Sequence, residues 1–318
     1  MGAGTLGNWD LDITDGVLRN HDLSNEILHA SYEKCRAIDF VKTVPFGKNR
    51  GMSVTVPRVH AITEPEDASL EELGSIPEDA FTISGTKITV AEYARTLPYT
   101  SLEEELLSFD LEVELQDLLR EQMTLILDTL SIASFKLAKI YATLTNATTI
   151  SFATGGAPGA VAGSDLNVFC VEEIVKYLIE TLYAPGYDDG DFVCLARYKS
   201  LLALRRDANW EKWHQYTDPE SKYNGEVGRL ERCRFVETNH SKALKNMGPA
   251  AAYCQALFFG KDAVAMAETT PAELRAGIPT DLGRKKVVGW YMVAGWNIRW
   301  ETANPREARV IVLDGNAA

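Results

Sequence analysis

The chain has 318 residues, 46% of them hydrophobic and 24% charged, with a formal net charge of −13. This is the composition of an ordinary globular protein, and it excludes disorder over the whole length. The acidic balance argues against a high-affinity nucleic-acid ligand, which needs clustered Lys and Arg, and no apolar run reaches the ~18 residues of a membrane span.

The excess charge is local. Ala61–Glu121 holds sixteen acids and only three bases (Lys87, Arg95 and Arg120), so it carries the whole imbalance. Such a run is a solvated face, or a surface that repels polyanions or docks a basic partner. The five cysteines, Cys35, Cys170, Cys194, Cys233 and Cys254, are widely spaced and form no Cys-x-x-Cys pair or zinc-ligand spacing. Buried free thiols in a reducing compartment are expected. No basic segment followed by an apolar one opens the sequence, so synthesis in a cytoplasm is expected.

In chain order, residues 1–36 open with Gly2, Gly4 and Gly7, and Ser24–Arg36 is expected to form a short helix. The region reads as an arm that a partner orders. Val41–Tyr99 reads as β structure with a long excursion. Ser53–Val56 and Phe81–Ser84 alternate at period two, and Lys87–Val90 is expected as a further strand after a Gly-Thr turn. The acidic stretch between them, with Pro65, Gly74 and Pro77, cannot pack alone. A projecting β-loop lying on a neighbouring subunit would account for it.

Ser101 with Glu104 predicts a capping box and a short helix. Tyr99–Thr154 then contains neither glycine nor proline. Within it Leu111, Leu115, Leu119, Met123, Ile126, Leu130, Ala133, Leu137, Ile140 and Leu144 recur at spacings of three and four. That spacing predicts one helix from about Ser108 to Leu144, roughly 55 Å long at ~1.5 Å per residue. Ala153–Gly163 is a glycine-rich break. An amphipathic helix over Val171–Leu182, a buried strand over Phe192–Ala196 and a helix over Tyr198–Arg206 follow, giving an α+β body. Near the end, Trp290, Met292, Ala294, Trp296, Ile298 and Trp300 share one strand face, read as packing rather than as a ligand shelf. Arg309–Leu313 is expected to be its antiparallel partner.

The search for chemistry is negative. Gly155–Gly159 has no following Gly-Lys-Ser/Thr, and Gly225–Gly228 lacks the third glycine of a dinucleotide fingerprint. There is no Gly-x-Ser-x-Gly elbow and no His-Glu-x-x-His. His21, His29, His60, His214 and His240 are scattered, and Asp188-Asp189 belongs to a turn sequence. No catalytic, cofactor-binding or metal-ligating residue is nominated, and no cofactor is expected.

The order of parts is informative: projecting β-loop, long helix, α+β body, returning strands. It resembles the Hong Kong 97-type fold of tailed-phage major capsid proteins. Gly225-Glu226-Val227-Gly228-Arg229-Leu230 followed by Arg234-Phe235-Val236-Glu237-Thr238-Asn239 resembles a block of the capsid family typified by the Escherichia phage N-four coat. Gln255–Ala263 and Lys286–Trp290 are similar to its next two blocks, and Phe192–Trp210 to its strand-helix-Asp-x-x-Trp segment. Two positions depart from the pattern, Leu70–Gly74 and Ala91–Ala94, both around the projecting loop.

The resemblance implies an N-terminal arm (1–40), an extended β-loop (41–100), a peripheral domain with the spine helix (101–150 and 261–318) and an axial domain (151–260). It implies a structural protein, not an enzyme, that assembles with itself as hexamers and pentamers into an icosahedral shell around double-stranded DNA. It binds no specific DNA sequence and no membrane. Scaffolding, portal and decoration proteins are the implied partners, and the virion capsid is the implied location. Two alternatives predict different observations. A cellular nanocompartment shell of the same fold would lack nucleic acid, and a soluble α/β enzyme would be a monomer stabilised by a ligand.

Overall fold

The computed structural model describes residues 33–316, apart from 34, 63–68, 70–75, 77, 108–109, 160–161, 188–189, 208–209, 211–225, 241–243 and 245–252. Most of the helix expected over Ser24–Arg36, the His214 neighbourhood and the Asp188-Asp189 turn therefore lie outside the described residues.

A 3-10 turn, Ala37–Phe40, leads into β1 (Lys42–Pro45). Strands β2 (Ser53–Val59) and β3 (Ile83–Thr89) then pair antiparallel, from Ser53 opposite Thr89 to Val59 opposite Ile83. The expected Gly-Thr turn is absent, because β3 runs straight through Gly85-Thr86. Gly85 lies opposite Pro57, and a Cβ there would come 2.3 Å from Thr55 Cγ2. The glycine serves close strand approach rather than a reversal.

Strand β4 (Ala91–Thr100) enters α1 (Ser101–Leu106). The capping box forms one residue earlier than expected. Thr100 Oγ1 accepts from the Glu103 amide at 3.3 Å, and Glu103 Oε2 accepts from the Thr100 amide at 2.8 Å. Helix α2 spans Leu111–Phe135, with the Asp110 carboxylate accepting from the Glu112 amide at 3.1 Å. At 25 residues it is about 37 Å long, shorter than the sequence suggests. It ends in a turn at Lys136–Ala138 and gives way to β5 (Ile140–Asn146) and β6 (Thr149–Ala153). Ile140 and Leu144 fit both readings, because a spacing of four also keeps two residues on one strand face. The β-branched Ile140, Thr143 and Thr145 favour the strand.

Helix α3 (Val168–Lys176) starts where Asn167 Oδ1 accepts from the Cys170 amide at 2.8 Å, and it continues as a π turn to Thr181. Then come β7 (Phe192–Arg197), α4 (Tyr198–Arg205), β8 (Glu226–Leu230), β9 (Cys233–Thr238) and β10 (Tyr253–Phe259). The long strands β11 (Val264–Ala276) and β12 (Lys285–Ile298) precede β13 (Val310–Asn316).

Two sheets and the β2–β3 ladder organise these strands. One sheet has the order β1-β11-β12-β4, the other β6-β5-β13-β10-β7-β9-β8. The expected pairing of the last two strands is therefore corrected. β13 pairs with β10 antiparallel and with β5 parallel, whereas β12 belongs to the four-stranded sheet. Ile311, Val312 and Leu313 are apolar on both faces, and the middle of the seven-stranded sheet covers both.

The described chain forms two compact units. One joins Glu92–Thr124 with Pro271–Met292 and buries Tyr99, Leu119, Trp290 and Met292. The other joins Glu33–Ala91, Leu125–Thr270 and Val293–Ala318 and holds the seven-stranded sheet. Phe192, Cys194, Phe235 and Phe258 point to one side of that sheet, against α3, α4 and Leu178. Val193, Leu195, Leu257 and Phe259 point to the other, against Phe40, Ile132 and Phe135. Burial on both faces explains why β7 reads as a continuous apolar run. Cys170, Cys194 and Cys233 are buried free thiols and Cys35 is half-buried, close to the expected pattern.

Candidate assembly surfaces

Two polar clusters stand out among the described residues, and both fasten the fold. In the first, Asp191, just before β7, accepts from Arg229 Nη2 at 2.7 Å and from Arg234 Nε at 2.9 Å, while Arg234 Nη1 donates to Glu226 Oε1 at 2.9 Å. Burial alone would lower the Arg234 pKa, but the Glu226 and Asp191 carboxylates outweigh it and hold the guanidinium above its ordinary value. The Glu226…Arg229…Arg234 block singled out in the sequence is therefore the ion network that joins β8 and β9 to the entry of β7.

The second cluster anchors the β2–β3 ladder. His60 Nδ1 lies 2.5 Å from Glu307 Oε1, and His60 Nε2 lies 2.7 Å from Ser84 Oγ. Arg58 donates to Ser84 Oγ, Thr86 Oγ1 and the Arg299 carbonyl, and sits 5.3 Å above the Trp300 ring. Thr302 and Asn304 donate to Glu307 Oε2 at 2.7 and 3.1 Å. Burial pushes the Glu307 carboxyl up, but the donors Thr302, His60 and Asn304 prevail and hold it below the usual carboxylate value. The same ladder face packs Val54, Val56 and Ile88 against Phe46, Ala265 and Ala267. His60 thus has structural partners, and His240 Nε2 lies 3.0 Å from Thr129 Oγ1; His21, His29 and His214 lie outside the described residues.

The other face of the ladder is open. Val59 and Ile83 are paired across the strands, and both are exposed. Phe81 (67% exposed) and Ile62 are exposed beyond this end of the ladder, and Met52 is exposed at its opposite end. A second display sits between β11 and β12. There Thr280 and Lys285 bridge a tight turn in which Asp281, Leu282 and Gly283 all have positive φ, and Ile278 (91% exposed) and Leu282 project into solvent. Sequence reasoning missed this tip. Its signal was Asp281-Leu282-Gly283 between two alternating stretches. Single exposed apolar residues are unremarkable, but stripes on projecting hairpins are the form an interface takes.

Of the acidic segment, Glu78, Asp79, Glu92, Glu105, Asp110, Asp117 and Glu121 are exposed. Lys286 Nζ, 2.5 Å from Glu104 Oε2, meets one of the remaining acids.

No family model matches the sequence, and no curated protein matches it. Solved structures do match. The head structure of Helicobacter pylori bacteriophage KHP40 aligns at a TM-score of 0.66 and 13% identity, over 98% of this chain and 99% of that one. The capsid of Ralstonia phage GP4 aligns at 0.67 and 13% identity, over 97% and 98%. The cyanophage Pam1 capsid aligns at 0.67 and 14% identity, over 97% and 99%. At these identities the likeness establishes the fold, which is the mixed α+β fold of phage capsid subunits.

Proposed function

We propose that this chain is the major capsid protein of a tailed phage, of the Hong Kong 97 type and similar to the N-four-like family. It assembles as hexamers and pentamers into an icosahedral shell enclosing double-stranded DNA. The observation that carries this reading is the near-complete overlap with phage capsid subunits in both directions.

The exposed stripes support it. Obligate assemblies of this kind bury about 2,000–5,000 Å² per interface, and Val59, Ile83, Phe81, Ile278 and Leu282 supply apolar surface that the described chain does not cover. On this reading 1–40 is the arm, 41–100 the extended loop, 101–150 with 261–318 the peripheral domain, and 151–260 the axial domain. Each subunit makes heterologous contacts that close by symmetry. The acidic stretch, if it lines the cavity, keeps packaged DNA off the wall or holds a basic scaffolding protein. The chain is structural, works in the virion after synthesis in the host cytoplasm, and meets scaffolding, portal and decoration proteins.

The test is negative-stain electron microscopy with size-exclusion chromatography of the purified protein, alone and with its scaffold. Closed shells, tubes or hexameric rings are expected. A chain that stays a monomer of about 35 kDa in the presence of scaffold and crowding agents would overturn the reading.

A further inference from the structure

Beside the second face of the seven-stranded sheet lies a cluster of metal-type donors. Cys35 precedes the first turn, Asp128 sits on α2 and His240 follows β9. Their sulfur, oxygen and nitrogen atoms lie within 4.8 Å of one another. Asp128 is fully buried and His240 is 1% exposed.

Asp128 and His240 are already oriented, and Cys35 Sγ lies 3.8 Å from the Glu33 carbonyl. Asp128 Oδ1 accepts from the Ala37 amide at 2.7 Å and the Ile38 amide at 3.4 Å. Its other oxygen, Oδ2, is buried and has no hydrogen-bond partner among the described residues. A buried carboxylate oxygen left without a donor is destabilising, and a cation would satisfy it. His240 Nε2 lies 3.1 Å from the Leu125 carbonyl and 3.0 Å from Thr129 Oγ1. A carbonyl only accepts, so Nε2 carries the proton and the lone pair of the neutral ring is on Nδ1. A carbonyl that fixes the ring in this way is the usual support of a metal-ligating histidine. Nδ1 is 4.0 Å from Glu33 Oε2, which brings a second carboxylate to the cluster.

We propose that Cys35, Asp128 and His240, with Glu33 as the fourth ligand, bind one divalent transition-metal ion of the zinc class. A thiolate, an imidazole and carboxylates together select a borderline ion over magnesium or calcium. In a tetrahedral site with bonds of about 2.0–2.3 Å, the ligand atoms stand roughly 3.3–3.8 Å apart. Cys35, Asp128 and His240, within 4.8 Å of one another, stand no more than about 1.5 Å beyond that spacing, and Glu33 Oε2 is 4.0 Å from His240 Nδ1. The Cys35 thiol is pushed up to about 12 by burial and by the Asp128 and Glu33 charges, with Arg36 opposing. On binding, the S–H bond breaks, the sulfur–metal bond forms and the proton leaves to solvent. The ion would tie the segment leading into β1 to α2 and to the end of β9.

The test is cobalt titration of the full-length protein after removal of metal. One equivalent per chain is expected, with a near-ultraviolet sulfur-to-cobalt charge-transfer band and visible bands of tetrahedral intensity. Cys35→Ser should lose the ultraviolet band at unchanged circular dichroism, and zinc should raise the melting temperature of the unsubstituted protein. If Cys35→Ser does not fold, alkylation of the unsubstituted chain read at Cys35 by mass spectrometry decides instead, and zinc should slow it at least tenfold. Absence of saturable cobalt binding, a charge-transfer band that survives Cys35→Ser, or alkylation indifferent to zinc would each overturn the proposal.

Discussion

The seven-stranded sheet and the β2–β3 ladder use the same alternation of side chains for opposite ends. In β7 the first five residues are buried, because helices and turns cover both faces of the sheet. In β2 no residue is fully buried; one face is anchored and the other shows Val59 beside Ile83. The sheet finds its partners within the chain. The ladder's outer face, on the proposed function, finds them in a neighbouring subunit. Apolar content alone does not separate the two; what separates them is whether the described chain returns to cover the surface.

The comparison is broken most forcefully on the sheet side. Phe258 is fully buried in the middle of the sheet, and Phe258→Ala should cost about 3–5 kcal/mol, as cavity-forming aromatic truncations do. Arg234→Met should cost a similar 3–5 kcal/mol, because it removes the guanidinium that joins Asp191 to Glu226 and leaves buried carboxylate charge uncompensated. Denaturant unfolding of the unassembled chain measures both. If Phe258→Ala left stability unchanged, the sheet would not be the stabilising core.

Much of this contrast was legible in the sequence, and the gaps have physical causes. The strand over Phe192–Ala196, the helix after it and the short helix at Ser101 stand where expected, because each has a clean period or a cap. The long helix was over-extended, since Ile140 and Leu144 satisfy a spacing of four in either conformation and only the following β-branched residues break the tie. The pairing of β13 was misplaced because register across a sheet depends on residues far apart in the chain. The anchoring cluster was invisible for the same reason: His60 meets Glu307 across 247 positions. The Cys35, Asp128 and His240 cluster is likewise assembled from three separate segments, so no motif spacing marks it.

A smaller effect sharpens the ladder's anchored face. The Glu307 carboxyl has a lowered pKa in the folded protein. It therefore adds stability above the unfolded carboxylate value of about 4.3, and that stability is lost as pH falls through the lowered folded value. Glu307→Gln should cost about 1–2 kcal/mol at neutral pH and should flatten the acid limb of the stability curve. The checking measurement is chemical denaturation from pH 7 to pH 3. An acid limb identical in both proteins would mean that the His60–Glu307 contact does not anchor the ladder.

The smallest change in stability is expected on the open face, and it discriminates best. Phe81 and Ile83 are exposed and touch no described core, so Phe81→Ser with Ile83→Ser should shift unfolding of the isolated chain by no more than about 0.5 kcal/mol. On the proposed function the same pair should abolish closed particles, since a hydrophobic interface loses roughly 1.5–3 kcal/mol for each large apolar side chain that no longer becomes buried, and every subunit in a shell repeats the loss. Stability by denaturation and particle yield by electron microscopy must therefore separate. Were both to fall together, the stripe would belong to the fold; were neither to move, the neighbour would have to sit elsewhere, and the tip carrying Ile278 and Leu282 becomes the surface to substitute next.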